Sequence, residues 1–224
     1  MDKIGVREVI EIGGFMFNEH TIIMTWITMI FTVIVAKLAT RNVKEIPDGF
    51  FQSAVEMIVD LVQDKIKSII GPEGLYLTHY FLTLFLYLMI ANWQGLTPIG
   101  ESPTNDLNTT LGMGFMTSIA VHFVAFRNKG ISHLHHFIEP FAPFIIVNVI
   151  EELARPCTLA FRLFGNILAG EVLIIIMLAL VPWYANWIPS TIWVCFSIFV
   201  GIIQAFIFTT LSITYMAPSV KGHE

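Results

Sequence analysis

The chain has 224 residues, of which 55% are hydrophobic and only 13% charged, about half the charged share of an average soluble domain. A net charge of −5 offers no basic surface for nucleic acid, and the two cysteines, Cys157 and Cys195, lack the CxxC spacing of a zinc or redox site. These bounds describe a polytopic, all-α membrane protein and exclude a soluble enzyme domain or a disulfide scaffold.

The residues before position 20 are mixed and slightly acidic, so no cleavable signal is expected. Residues 20–39 are apolar over about the 20 positions a span requires, with Lys37 placed to snorkel to the interface. Residues 47–70 differ in pattern. Asp48, Gln52, Glu56, Asp60, Asp64 and Lys67 recur at steps of three or four, with Phe50, Phe51, Val55, Ile58, Val62, Ile66 and Ile69 facing away. That pattern predicts an amphipathic helix on the membrane surface, with Pro47 near its first turn; a helix packed against protein is the alternative.

Residues 75–127 form a helical pair. The first span covers 75–96 and ends at Trp93, read as an interfacial anchor, and the second covers 109–127. The turn-rich loop between them, 97–108, contains no Lys or Arg. Asn108-Thr109-Thr110 matches a glycosylation sequon that is expected to be empty. After the second span come His133, His135 and His136, which lack a matched metal-ligand pattern and read as an interfacial loop.

From 140 to 181 the only helix breakers are Pro143 and Pro156. A continuous helix there would be roughly 60 Å long, twice the hydrocarbon thickness of about 30 Å. Either it lies steeply oblique or it breaks near Pro156, whose missing N–H frees the carbonyl of Glu152. After a short aromatic loop at 182–190, residues 191–217 make the last apolar element. The expectation is two long, tilted helices forming a hairpin over 140–217. Residues 1–224 thus read as one membrane domain with about five embedded helices and one surface helix. Basic residues concentrate in the 40–74 and 128–139 loops. By the positive-inside rule the N-terminus is outside and the C-terminus cytoplasmic.

Ionisable residues within an apolar segment of membrane length cost roughly 2.5–3.5 kcal/mol each on insertion scales and default to a functional reading. The stretch EELARPCTLAFRLFGNILAGE at 151–171 holds several. At about 100° per residue, Glu151, Arg155, Asn166 and Asn148 fall within about 40° of Arg162. Thr158, Gly165 and Ala169 complete a polar or small stripe, and small residues let a neighbouring helix approach. Arginine stays charged even when buried, so Arg162 presents a fixed cation on a shallow track; a structural ion pair with Glu151 or Glu152 is the competing reading. Glu171 projects from the opposite side, roughly 13.5 Å further along. On the last helix, Gln204 shares a side with Ser197 and Gly201; these are channel or helix-packing candidates.

RLFGN followed by AGE, the upstream ARP, IQAFIF at 202–208 and the PTNDLN loop at 103–108 resemble the membrane-embedded a subunit of rotary F-type ATP synthases. The resemblance covers most of the chain from about residue 80. It implies an ion-translocating stator subunit that is not catalytic alone and needs no cofactor. Its implied partners are the c-ring, the b-subunit peripheral stalk and the lipid bilayer, and its transported ion is H⁺ or Na⁺. It further implies two offset half-channels separated by the Arg162 charge. Placing Glu171, Asn166, Gln204 and Ser197 in the outer half-channel and Glu151 and Arg155 beside the inner one extends that implication through the predicted orientation. For Glu151 and Arg155 an interfacial ion pair is the competing reading. The absence of a recognisable transit peptide and the plain termini point to a bacterial inner membrane, with a plastid origin second. A secondary transporter with a midplane site is the alternative function, although such folds show internal repeats that this sequence lacks. A purely structural anchor leaves Arg162 unexplained.

Overall fold

A computed structural model describes residues 9–12, 15–41, 49–96, 102–130, 145–182 and 184–220. Strands β1 (Val9–Ile12) and β2 (Phe15–Asn18) pair antiparallel as a small hairpin. Among the described residues six α-helices follow: α1 (Glu19–Thr40), α2 (Phe50–Ile69), α3 (Thr78–Gln94), α4 (Leu107–Lys129), α5 (Ile145–Leu180) and α6 (Trp187–Val220). A 3₁₀ turn over Pro72–Leu77 leads into α3. Five helical segments are long and apolar enough to cross a membrane; α2 is the exception. The expected helical architecture is therefore present, with the hairpin at 9–18 added. Pro47, the 97–101 part of the loop, and His133, His135 and His136 lie outside the described residues.

Helix α1 docks by a polar stripe. Thr21 Oγ1 donates to Asp106 Oδ2 at 3.3 Å, and Thr28, fully buried, contacts the side-chain amide of Gln94. In lipid the hydrophobic effect does not drive helices together, and each such contact contributes about 0.6 kcal/mol on average. The opposite face, including Trp26, Ile30 and Phe31, is exposed.

Helix α2 partly departs from expectation. Its polar stripe is present, with Gln52 Nε2 donating to Glu56 Oε1 at 2.7 Å. Its apolar face, however, buries Val62 and Ile66 in the main core, followed by Ile70, against α3 and α6. The Lys65 ammonium lies 5.4 Å over the Phe206 ring of α6. Periodicity reports that a face is apolar, not whether protein or lipid covers it, and here protein covers much of it.

The core joins this face to Phe81, Phe85 and Leu88 of α3, Leu159 and Leu163 of α5, and Phe208, Ile213 and Met216 of α6. It lies toward the end of the bundle that carries Arg127 and Lys129. There Asn128 Nδ2 donates to Ser219 O at 3.3 Å, tying α4 to the end of α6.

Helix α5 runs unbroken through Pro156 for 36 residues, about 54 Å, and α6 for 34, about 51 Å; both exceed a hydrocarbon slab of about 30 Å and must cross it obliquely. Of the two outcomes open at Pro156, continuity holds. Pro156 sits at the crossing with α4, where a Cβ on Gly114 would meet the Pro156 carbonyl oxygen at 2.5 Å. Glycine is required there because any side chain would strike backbone. The predicted 182–190 loop is shorter than expected, since α6 begins at Trp187. Although consecutive, α5 packs most against α4 and α6 most against α3.

Candidate translocation site

Helix α5 touches the rest of the chain along a narrow strip, its buried positions being Pro156, Leu159, Ala160 and Leu163. This strip lies roughly 110° around the helix from Arg162. The polar and small stripe consequently faces outward. Glu151, Thr158, Arg162, Gly165 and Ala169 are exposed, while Asn148, Arg155 and Asn166 are half-buried. A Cβ on Gly165 would meet nothing within 4 Å, so the track beside Arg162 is open. Among the described residues Arg162 has no ion-pair or hydrogen-bond partner.

Two turns earlier the surroundings change. Arg155 Nη2 meets Glu151 Oε1 at 2.8 Å and Arg155 Nη1 meets Glu152 Oε2 at 3.2 Å. The guanidinium lies 5.4 Å over the ring of Tyr215 on α6. From α4, His122 Nε2 approaches Glu152 Oε1 at 3.3 Å. The ion pair that is the competing reading for Glu151 and Arg155 is thus present, enlarged by Glu152, His122 and Tyr215. Sequence reasoning missed His122 and Tyr215. Glu152 falls about 80° from Arg162, outside the stripe, and His122 is an ionisable residue within an apolar span, the same signal that singled out Arg162.

On the other side of Arg162, α3, α5 and α6 line a half-open, largely apolar cavity of about 110 Å³, whose polar groups come from Asn92, Asn166, Trp193 and Ser197. That is room for water, which needs a polar site of about 10–15 Å³ at minimum. Asn166 and Ser197, separately predicted, therefore meet in one space. Gln204 does not line it; it is buried one turn beyond Gly201, its Nε2 without a hydrogen-bond partner. Glu171 lies on α5, but its side chain is outside what is described.

The cavity wall is pinned. Asn92 Nδ2 donates to Gly201 O at 3.1 Å and Trp93 Nε1 to Ile198 O at 3.2 Å. Thr104 Oγ1 donates to Asn92 Oδ1 at 3.4 Å, and Ser102 Oγ to Ala91 O at 2.9 Å. Trp93, expected as an interfacial anchor, spends its indole N–H on the α6 backbone. A Cβ on Gly201 would sit 3.3 Å from Asn92 and Trp93 atoms, so the helices meet closely there.

The class so defined is a multi-pass helical membrane protein in which an arginine with no partner among the described residues stands between an ionic knot and a largely apolar cavity that also carries Asn92, Asn166 and Ser197. Residues 22–217 match the family described as ATP synthase A chain. The chain is 39% identical over 213 residues to the ATP synthase subunit a of Desulforamulus reducens, an alignment covering 92% of this chain and 81% of that protein. This chain belongs to the family of F-type ATP synthase a subunits. It is accordingly a component of a membrane complex and not a catalyst alone.

Proposed function

We propose that this chain is the ion-translocating stator subunit of the Fo sector, with Arg162 as the charge barrier between two offset half-channels facing a rotating c-ring. The observation that carries this reading is Arg162, exposed on an open track and without a partner among the described residues. An arginine facing lipid costs roughly 2.5–3.5 kcal/mol on insertion scales, so a partner outside the chain that supplies a carboxylate removes an otherwise uncompensated charge. Such a carboxylate, carried by a ring subunit, is favoured in its ionised form within about 4–6 Å of the guanidinium. The ion must then leave before the site passes, and the fixed cation blocks direct leakage. Each elementary charge crossing gains roughly 2.3 kcal/mol per 100 mV, delivered as rotation.

In this reading the cavity at Asn166 and Ser197 belongs to the outer half-channel, with Glu171 and Gln204 along the same path. Glu151 and Arg155 border the inner one. The basic ends of α1 and α4 are cytoplasmic by the positive-inside rule, in a bacterial inner membrane, and the b-subunit stalk holds the chain still. The transported ion is H⁺ or Na⁺. A secondary transporter would require a different family.

The test is ion flux and ATP synthesis measured on the same vesicles containing the assembled complex. Arg162→Ala should abolish coupled synthesis and raise passive leak through the membrane sector while assembly persists. Normal coupled synthesis in that variant would end the reading.

A further inference from the structure

The ionic knot near the start of α5 contains a group that the barrier mechanism does not use. Its carboxylates, Glu151 and Glu152, share one guanidinium, that of Arg155, at 2.8 and 3.2 Å. Among the described carboxylate and guanidinium contacts, two negative charges against one positive leave the knot one charge negative. The remaining member, His122, lies 3.3 Å from Glu152, and histidine is the side chain whose ordinary charge change falls between pH 5 and 8. Protonating it cancels the excess.

We propose that His122 is a titratable positioning residue of the inner half-channel, holding the knot net negative when neutral and charge-balanced when protonated, and so modulating cation entry from the inner side. This rests on the reading of Glu151 and Arg155 as bordering that half-channel. The groups shown facing His122 are Glu152 and, through it, Arg155 on α5, with Tyr215 beyond on α6. The His122 and Glu152 side chains are 30% and 21% exposed, so protons can reach them. A cavity of about 10 Å³ beside them, lined by Ser118, Glu152, Arg155 and Tyr215 among others, is about the size of one water.

Position makes the charge matter. Glu152 precedes Arg162 by ten residues, roughly 15 Å along the axis. A charge there acts on a cation approaching Arg162 through surroundings screened less than open solvent. A net negative knot raises the local concentration of the coupling cation, and a balanced one does not. The same pairing connects α4 to α5, while Arg155 over Tyr215 connects α5 to α6, so protonation also tightens the brace at the base of the Arg162 helix.

The experiment uses the whole ATP synthase in vesicles with the catalytic head outward, where the inner half-channel faces the bath. Initial ATP-driven cation uptake is followed by dye while the bath is varied from about pH 5.5 to 8.5, the range in which histidine titrates. The readout is the ratio of variant to wild-type rate, which cancels the pH dependence of the head. For His122→Gln, permanently neutral, the ratio should rise from one at alkaline pH to roughly two- to fivefold at acid pH, below the tenfold of a strongly charged cleft. For His122→Arg, permanently charged, it should be one at acid pH and fall by a similar factor at alkaline pH. Glu152→Gln, which removes one negative charge, should lower alkaline uptake like His122→Arg, and decides the matter if His122→Gln fails to assemble. Ratios that do not change with pH would overturn the proposal. If that happens while Arg162→Ala abolishes coupling, only the role of His122 fails; coupling that survives Arg162→Ala means the underlying reading has failed.

Discussion

Arg155 and Arg162 stand two turns apart on α5, within about 20° of one direction, yet they occupy opposite electrostatic situations. Arg155 is held by Glu151 and Glu152 and stacked over Tyr215; Arg162 has no partner among the described residues and faces outward. A chain that pairs one arginine fully can pair a second, so the bare state of Arg162 is informative. Its neighbours on the stripe, Thr158 and Gly165, can supply no carboxylate. The partner is therefore sought outside the chain.

The contrast is sharpest in the two alanine variants. Arg162→Ala should abolish coupled ATP synthesis, whereas Arg155→Ala should leave a substantial fraction of it, because it removes a brace and not the barrier. Arg155→Ala instead leaves Glu151 without its guanidinium and Glu152 with His122 alone, and breaking a buried ion pair costs about 3–5 kcal/mol, less here because Arg155 is 30% exposed and Glu151 60%. Its loss should appear first in thermal stability of the detergent-extracted complex. Equal loss of synthesis in both variants would erase the distinction between the arginines.

The crossing that orients both arginines offers the next break. Gly114→Val should push α4 from the Pro156 carbonyl that a Cβ meets at 2.5 Å, at a cost of about 1–3 kcal/mol for overpacking. The yield of assembled complex should fall severalfold. Full yield would mean that the close approach does not hold α5 in place.

The cavity beyond Arg162 should respond to bulk without loss of fold. Ser197→Leu and Asn166→Leu each fill part of the roughly 110 Å³ space and replace a polar group that can hold water. Ion flux through the membrane sector should fall about tenfold, while yield and thermal stability change little. Unchanged flux would remove the cavity from the path. Smaller still is the expected effect of Glu171→Gln, a severalfold slowing of transport with assembly intact, because it removes a titratable group and not a packing element. Retained flux in Glu171→Asp would support a relay role, and unimpaired flux in Glu171→Gln would exclude one.

Much of this arrangement was legible in the sequence, because it depends on periodicity and length. Five apolar stretches predicted five spans, and the runs at 140–181 and 191–217 were too long for upright helices. The stripe through Glu151, Thr158, Arg162, Gly165 and Ala169 follows from the helical repeat alone, and those residues do share an exposed face. The placement of Gln204 was less legible: helical spacing aligned it with Ser197 and Gly201, but Gly201 is where α3 closes the cavity, leaving Gln204 buried behind it. Its role stays a packing candidate as much as a channel one on geometry.

What the sequence by itself determined, then, are the properties carried by one helix at a time: which segments are apolar, how long they run, and which residues share a face. Only the tertiary structure decided what each face meets. The close crossing of α4 over Pro156 depends on Gly114 having no side chain. The apolar face of α2 could have lain on lipid, and it packs on α3 and α6 because those helices present apolar side chains at matching depth. The pairing of His122 with Glu152 joins residues thirty positions apart, and the cavity gathers residues from three helices. Such meetings depend on how helices cross, and crossing is set by side-chain packing between distant segments, which local periodicity does not encode.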